Sequence, residues 1–154
     1  MSNKSVVITH LNKVLANELV AINQYFLHGR MMQDQGFNKL GQATYAESID
    51  EMKHADQLVT RILALKGLPN MQELGKLMIG ETIPEMIALD LKLEEKAIPE
   101  LVVAIEVCEK AKDFTSRQLL ESILASEEAH LEFLQTQLHL IQTIGEQNYL
   151  QSQI

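Results

Sequence analysis

Four glutamates and two histidines recur in this sequence in a pattern that is suited to binding two metal ions. Two of the glutamates each begin a Glu-x-x-His motif, and each motif follows a lone glutamate by 33 residues. The six residues are Glu18, Glu51, His54, Glu94, Glu127 and His130. One Glu from each of two helices and a Glu-x-x-His from each of two others form the ligand set of a di-metal four-helix bundle. One such motif is a weak signal, but two with equal partner spacing predict a metal centre.

The four acids interrupt apolar stripes, at positions where the helical pattern predicts core residues. A solvated face is the commoner place for a helical Glu. Four buried carboxylates without compensation would be prohibitive, and metal ions fit as the compensation. Carboxylates and imidazoles without a thiolate favour iron or manganese over structural zinc, with Glu51 and Glu127 as the bridges. Tyr25, on the face of Glu18, is either a hydrogen-bond partner of a ligand or an ordinary core residue.

Helical periodicity covers nearly all of the sequence and is divided by a few breakers. We expect an all-α fold, a four-helix bundle at about 5–143 with a short C-terminal helix at about 146–152. The expected helices are Ser5–Asp34, one from Asn38 to Lys66, one from Thr82 to near Lys112, one capped by Asp113 that ends near Thr143, and the C-terminal segment. Short links make two antiparallel hairpins, and the long link from about Gly67 to Glu81 predicts a crossover along the bundle.

Composition limits the class of protein. We expect the 154 residues to form a single domain, 1–154, with a sizeable core. A net charge of −8 argues against a nucleic-acid surface. The lone Cys108 excludes an internal disulfide and a cysteine-rich metal site. The N-terminus shows no secretory pattern, and no segment reaches the apolar length needed to span a bilayer, so we expect a cytoplasmic protein without a membrane partner.

The second helix has an additional apolar face, and the first helix extends it. Such a face predicts that another subunit covers it. Its residues are Tyr45, Ile49, Met52, Val59 and Leu63, with Leu15, Leu19, Ile22 and Phe26 on the flank of the first helix. Met52 is either adaptable interface packing or an axial haem ligand, and its spacing does not decide between the two.

Several longer runs make the sequence similar to a known family. They are Asn17–His28, Glu47–Asp56, Gly67–Asn70 and Gln147–Gln151. In these runs, and over essentially the whole chain, the sequence resembles the bacterioferritins, the haem-containing branch of the ferritins. The resemblance implies a ferritin-like bundle in a hollow shell of 24 subunits, built from dimers, that stores ferric mineral.

The resemblance also implies roles for individual residues. The six residues of the motif pattern would form a di-iron ferroxidase centre that oxidises Fe(II) to Fe(III). Met52 from two subunits would hold one b-type haem between them. That haem would carry electrons for iron release, delivered by a bacterioferritin-associated ferredoxin. The sequence leaves open whether the shell mixes with a second ferritin subunit.

Two positions depart from the family pattern. Ala46 stands where well-known members have a histidine that binds iron on the cavity wall together with an acid equivalent to Asp50. That wall site is therefore expected to be weak, with Asp50 among neutral neighbours and iron leaving the centre through His130. Pro99 lies inside the third helix, where it removes a hydrogen bond to Glu95 and predicts a kink or a local break.

Two other functions remain open on the sequence alone. One is a haem-binding or structural shell subunit with little ferroxidase activity. The other is a different di-iron oxidoreductase on the same bundle, although the cysteines that a rubrerythrin needs are absent. A DNA-protecting mini-ferritin would need a site shared between subunits and, usually, a basic tail, and the sequence shows neither.

Overall fold

The computed structural model describes residues 2–154, which form five helices and no strand. Four of the helices are long and the fifth is short. They are α1 (Asn3–Asp34), α2 (Asn38–Ala64), α3 (Ile83–Lys110), α4 (Phe114–Ile144) and α5 (Glu146–Gln151). The all-α, ferritin-like four-helix bundle with a crossover and a short C-terminal helix is confirmed, and the helix ends lie within a few residues of the expected ones.

Local signals account for where the helices begin and end. The Thr82 hydroxyl accepts from the Glu85 amide, and the Glu85 carboxylate accepts from the Thr82 amide, which is a capping box that satisfies otherwise unpaired donors. Asp113 caps α4 by accepting from the Ser116 amide at 3.0 Å. The left-handed residue after α2 is Lys66, with φ of 64°, although glycine is the usual residue at that position.

The helices pack as two hairpins side by side. Helix α1 contacts α2 and α3, while α4 contacts α3, α2 and α5. The crossover follows α1 from one end to the other because side chains of α1 hold it at successive heights. Asn12 bonds to Leu68 and Asn70, further along Gln24 and His28 accept from Met78 and Gly80, and near the end of the helix Gln35 donates to the Glu81 carbonyl.

Two apolar clusters fill the ends of the bundle. The lower cluster includes Leu11, Leu15, Leu58, Ile62, Leu101, Ala104, Leu120 and Ile123. The upper cluster includes Met32, Leu40, Ile83, Met86, Ile87, Leu134 and Tyr149. The short helix α5 packs into the upper cluster through Tyr149. The Tyr149 hydroxyl donates a hydrogen bond to the Gln137 side chain at 2.7 Å. The polar motif residues occupy the heights between the two clusters.

Two expectations about the helices are corrected. Helix α3 continues unbroken through Pro99, which is on an exposed side of the helix. The helix packs into the bundle both before Pro99, at Leu93, and after it, at Leu101 and Ala104, and this packing compensates for the lost hydrogen bond. In addition, α1 is long and apolar enough to cross a membrane by length and composition alone. Its apolar side chains are instead used in the core, where Leu11 and Leu15 are fully buried.

Candidate metal centre

The structure brings all six motif residues into two adjoining groups. Glu18 of α1, Glu51 and His54 of α2, and Glu127 of α4 form the first group, while Glu94, Glu127 and His130 form the second. Within each group the candidate ligand atoms all lie within 4.8 Å of one another. Glu127 belongs to both groups, which is the position required of a bridging carboxylate. Glu51 belongs to the first group, and its charge also acts on His130 in the second.

The unpaired polar atoms of the centre show that these residues fit a metal. Among the described residues, six buried side-chain atoms have no hydrogen-bond partner, and five of them belong to motif residues. These five are Glu18 Oε2, Glu51 Oε1, His54 Nδ1, Glu94 Oε2 and Glu127 Oε1. Buried polar atoms are normally paired, and each one left unpaired is costly. A cation between these atoms would satisfy them together.

The first histidine lies among three carboxylates. The Nδ1 atom of His54 lies 3.2 Å from Glu127, 3.5 Å from Glu18 and 3.6 Å from Glu51. Burial disfavours the charged ring, but the neighbouring Glu127 and Glu51 outweigh it and raise the pKa of His54 to about 10. In the metal-free protein a proton on His54 therefore takes part of the role of a cation.

The second histidine behaves in the same way. Burial opposes its charge, but Glu94, 3.2 Å from the His130 Nδ1 atom, and Glu47 raise the pKa of His130 to about 9. The ring is enclosed by Tyr25, edge-on at 5.0 Å between centroids, and by Phe133, stacked at 6.3 Å. His130 is therefore packed on two sides before any metal binds.

The pKa values of the buried acids are also raised, but here burial is the main cause. Burial, together with Glu127, raises the pKa of Glu94 to about 8, although His130 opposes the shift. Burial likewise raises the pKa of Glu127, against the attraction of His54. The carboxylates repel one another in a site shielded from water, so protons or metal ions must neutralise them.

Tyr25 combines both of the roles that its sequence position left open. It is fully buried against Val20, Ala21 and Leu93, and its hydroxyl donates a hydrogen bond to Glu94. Burial, followed by the charge of Glu94, raises the pKa of Tyr25 well above its usual value. Its hydroxyl therefore keeps its proton and orients the Glu94 carboxylate.

The sequence pattern alone gave Glu47 no role at the centre. Glu47 lies one helical turn before Glu51, and its carboxylate is 3.8 Å from His130 Nδ1. Burial raises the pKa of Glu47, although His130 opposes the shift.

The expectation of neutral neighbours for Asp50 is wrong, because Lys53 Nζ lies 3.8 Å from the Asp50 carboxylate. The i,i+3 spacing of Asp50 and Lys53 was visible in the sequence.

The additional apolar face is present but smaller than expected. Met52 is 56% exposed, and Phe26, Ile49 and Leu63 are exposed as well. Leu15, expected on this face, is fully buried in the lower cluster. The face therefore consists of the exposed thioether of Met52 with apolar side chains from two helices.

These features define a class of protein, a helical bundle with a carboxylate and imidazole centre at mid-height. A family model described as a ferritin-like domain matches residues 8–144, which includes all six motif residues. The chain is 48% identical to a bacterioferritin of Mycobacterium bovis over 139 residues, 90% of this chain and 87% of the relative. It is 46% identical to a bacterioferritin of Streptomyces coelicolor over 154 residues, 100% of this chain and 92% of the relative. The chain therefore belongs to the bacterioferritin family, and this membership supports a role in iron storage.

Proposed function

We propose that the protein is a ferroxidase that oxidises Fe(II) to Fe(III) at a dinuclear centre and deposits the product as ferric mineral. The observation that carries this proposal is the shared position of Glu127, which places two groups of buried, unpaired ligand atoms beside each other. Two Fe(II) ions that are held together can supply two electrons at once, which reduces O₂ to hydrogen peroxide or hydrogen peroxide to water. Family membership in the bacterioferritins supports the proposal.

Each motif residue has a role in this proposal. Glu127 bridges the two iron substrates, with Glu51 as the second bridge, while Glu18 with His54 and Glu94 with His130 are the terminal ligands. Negative charge concentrated in a buried site favours cations of higher charge, so the site holds Fe(III) more strongly than Fe(II) and favours oxidation. Tyr25 fixes the orientation of Glu94 through its hydrogen bond.

We also propose that the face around Met52 holds a b-type haem between two copies of the chain. A thioether is an established axial haem ligand, and Met52 is exposed among apolar side chains that suit the macrocycle. In this proposal Met52 supplies one axial ligand from each subunit. The haem would transfer electrons from a bacterioferritin-associated ferredoxin inward, for the release of stored iron.

The assembly and location belong to the same proposal. We infer one ferritin-like domain, since α5 packs back onto the bundle through Tyr149. We infer a cytoplasmic shell of 24 subunits built from dimers, because family resemblance implies it and an exposed apolar face needs a covering partner. An assembled shell with haem but without rapid Fe(II) oxidation would favour the alternative of a structural, haem-binding subunit.

Rapid-mixing oxidation tests the central proposal. Fe(II) added with O₂ or H₂O₂ should give a fast phase that saturates near two iron ions per subunit, about the capacity of one dinuclear site. Glu127→Gln removes the shared carboxylate and should abolish this phase. Glu128→Gln, which neutralises the exposed neighbouring acid, is the matched control and should leave the phase unchanged. A fast phase of equal size in a folded Glu127→Gln variant would place the chemistry elsewhere.

A further inference from the structure

Three polar side chains that bind no metal in this proposal are buried beside the centre. Gln24 and His28 of α1 are fully buried, and Asp90 of α3 is 1% exposed. Asp90 lies one helical turn before Glu94, and Gln24 and His28 flank Tyr25 in the sequence. Side chains of these types are rarely buried unless they are fully paired. We therefore expect each of the three side chains to have hydrogen-bond partners within the protein.

The three side chains form one hydrogen-bonded cluster that ends on the backbone of the crossover. Asp90 Oδ1 accepts from Gln24 Nε2 at 2.9 Å and pairs with His28 Nδ1 at 2.7 Å. At the other end, Gln24 Oε1 accepts from the Met78 amide at 3.0 Å, and His28 Nε2 accepts from the Gly80 amide at 3.1 Å. Because Nε2 accepts a hydrogen bond, the ring carries its proton on Nδ1 and donates it to Asp90.

The crossover segment held in this way packs against the apolar cluster that contains Tyr25. Leu77, immediately before the first anchored amide, packs against the cluster that contains Tyr25. Gly80 is seated so tightly that an added Cβ would approach the Met86 amide nitrogen to 2.7 Å. Tyr25 is fully buried and donates to Glu94, and the crossover packs through Leu77 against the cluster to which Tyr25 belongs.

We propose that Gln24, His28 and Asp90 are positioning residues that keep the end of the crossover closed over Tyr25. With the cluster intact, the Met78 and Gly80 amides are paired and water does not compete for the Glu94 carboxylate. Without it, both amides need new partners, the segment lifts, and Tyr25 loses its fixed orientation. This inference rests on the proposed ferroxidase function in one respect, that Glu94 is taken as a metal ligand.

Residue-resolved amide exchange on the assembled, metal-free protein tests the cluster. Gln24→Met keeps much of the side-chain volume but removes both hydrogen bonds of the amide group. We expect exchange at Met78 to become about tenfold faster, the effect of losing one ordinary hydrogen bond. His28→Leu should do the same at Gly80. Asp90→Asn keeps an acceptor oxygen for both α1 side chains and should retain slow exchange at both amides.

The state of Tyr25 separates positioning from simple loosening. Its hydrogen bond can be followed by ultraviolet resonance Raman spectroscopy, with Tyr25→Phe to identify its bands. Gln24→Met and His28→Leu should shift the Tyr25 bands toward those of a water-exposed phenol. Asn12→Leu is the matched control, since Asn12 holds the start of the same crossover at Leu68 and Asn70. It should speed exchange at the Asn70 amide, which donates to Asn12, and leave the Tyr25 bands unchanged.

Two results would overturn the inference. One is unchanged exchange at Met78 in a folded Gln24→Met variant. This result is sufficient by itself if the His28→Leu variant does not assemble. The other is an equal shift of the Tyr25 bands in Asn12→Leu, which would mean that any loosening of the crossover has this effect. Both measurements are made without iron, so their failure leaves the ferroxidase proposal standing. Failure of the oxidation test would likewise leave the cluster's role intact.

Discussion

The Glu127 carboxylate lies 3.2 Å from His54 Nδ1, and the same residue belongs to the group that contains Glu94 and His130. One carboxylate of α4 thus connects ligands from three other helices. Glu18, in contrast, contributes to the first group alone. Glu127 and Glu18 are almost equally buried, at 3% and 4% exposure. They differ instead in the number of groups to which each belongs, two for Glu127 and one for Glu18.

This difference predicts unequal effects of two identical substitutions. Glu127→Gln should reduce metal binding from about two ions per subunit to fewer than one, because both positions lose a ligand. Glu18→Gln should leave the second group able to bind one ion. Metal analysis after equilibration with Zn(II), which is redox-inert, measures both occupancies. Equal losses in the two variants would contradict a bridging role for Glu127.

Metal binding should release protons, and the pKa shifts give the direction. The pKa values are raised to about 10 for His54, about 9 for His130 and about 8 for Glu94, so the metal-free centre retains protons at pH 7. A metal ion must displace these protons, so affinity should increase as the pH rises toward 9. Calorimetry with Zn(II) in buffers of different ionisation enthalpy counts the protons. Release of none at pH 7 would show that the ligands are already deprotonated.

Asp113 predicts a stability effect far from the metal. Burial opposes ionisation, but Ser116 and Arg61 lower the pKa of Asp113 below its ordinary 3.8. A carboxylate with a lowered pKa contributes its full stabilisation above the unfolded pKa, and this contribution is lost as the pH falls from that value through the folded pKa. At pH 7, Asp113→Ala should cost about 1 to 2 kcal/mol through loss of the helix cap. Urea unfolding at pH 7 and pH 3 measures it, with the exposed Asp56→Ala as control. An equal difference at both pH values would contradict the assignment.

The haem proposal makes a spectroscopic prediction. Met52→Leu nearly conserves volume, so packing on the exposed face should change little. The thioether is lost, however, and the assembled protein should be purified without haem. The Soret band per subunit measures haem content, and Ile49→Leu on the same face is the matched control. An unaltered Soret band in Met52→Leu would reduce Met52 to an interface residue.

His130 is the expected exit for iron toward the cavity. In the proposed centre His130 is a single terminal ligand, whereas a bridging carboxylate could not move without loosening both ions. Iron-soaked crystals sampled over time should show His130 in more than one rotamer, with lower metal occupancy on its side. Phe133 stacks on the ring, so Phe133→Ala should increase the second rotamer. A fixed His130 and a fully occupied pair throughout mineralisation would make the centre a permanent cofactor.

Features that depend on neighbouring residues in the sequence were predictable. The capping box of Thr82 and Glu85 needs only three residues of spacing, and the acids at core positions are visible in the periodicity of each helix. The left-handed Lys66 was missed because glycine is the usual residue there. A Cβ at the neighbouring Gly67 would approach the Ile8 side chain to 2.9 Å, so that side chain would have to shift.

Features that depend on distant residues were not predictable. His28 and Asp90 are separated by 62 residues, and nothing in either local pattern connects them. Of the kink or local break predicted at Pro99, the break was wrong, because a local rule was applied to a helix that tertiary contacts hold on both sides of the proline. The contact between Glu47 and His130 likewise depends on how α2 and α4 are packed.

The attachment of the crossover to α1 has a consequence for the covalent chain. Between Asn70 and Met78 the segment is partly exposed, and the α1 side chains bind it on either side of this stretch. Each hairpin carries one lone Glu and one Glu-x-x-His. A protein cleaved near Met71 would therefore consist of two half-molecules, each with half of the motif residues and a surface that packs against the other half. The side chains of α1 that bind the crossover would also bind the second half-molecule after cleavage. The intact peptide chain mainly raises the local concentration of one half near the other.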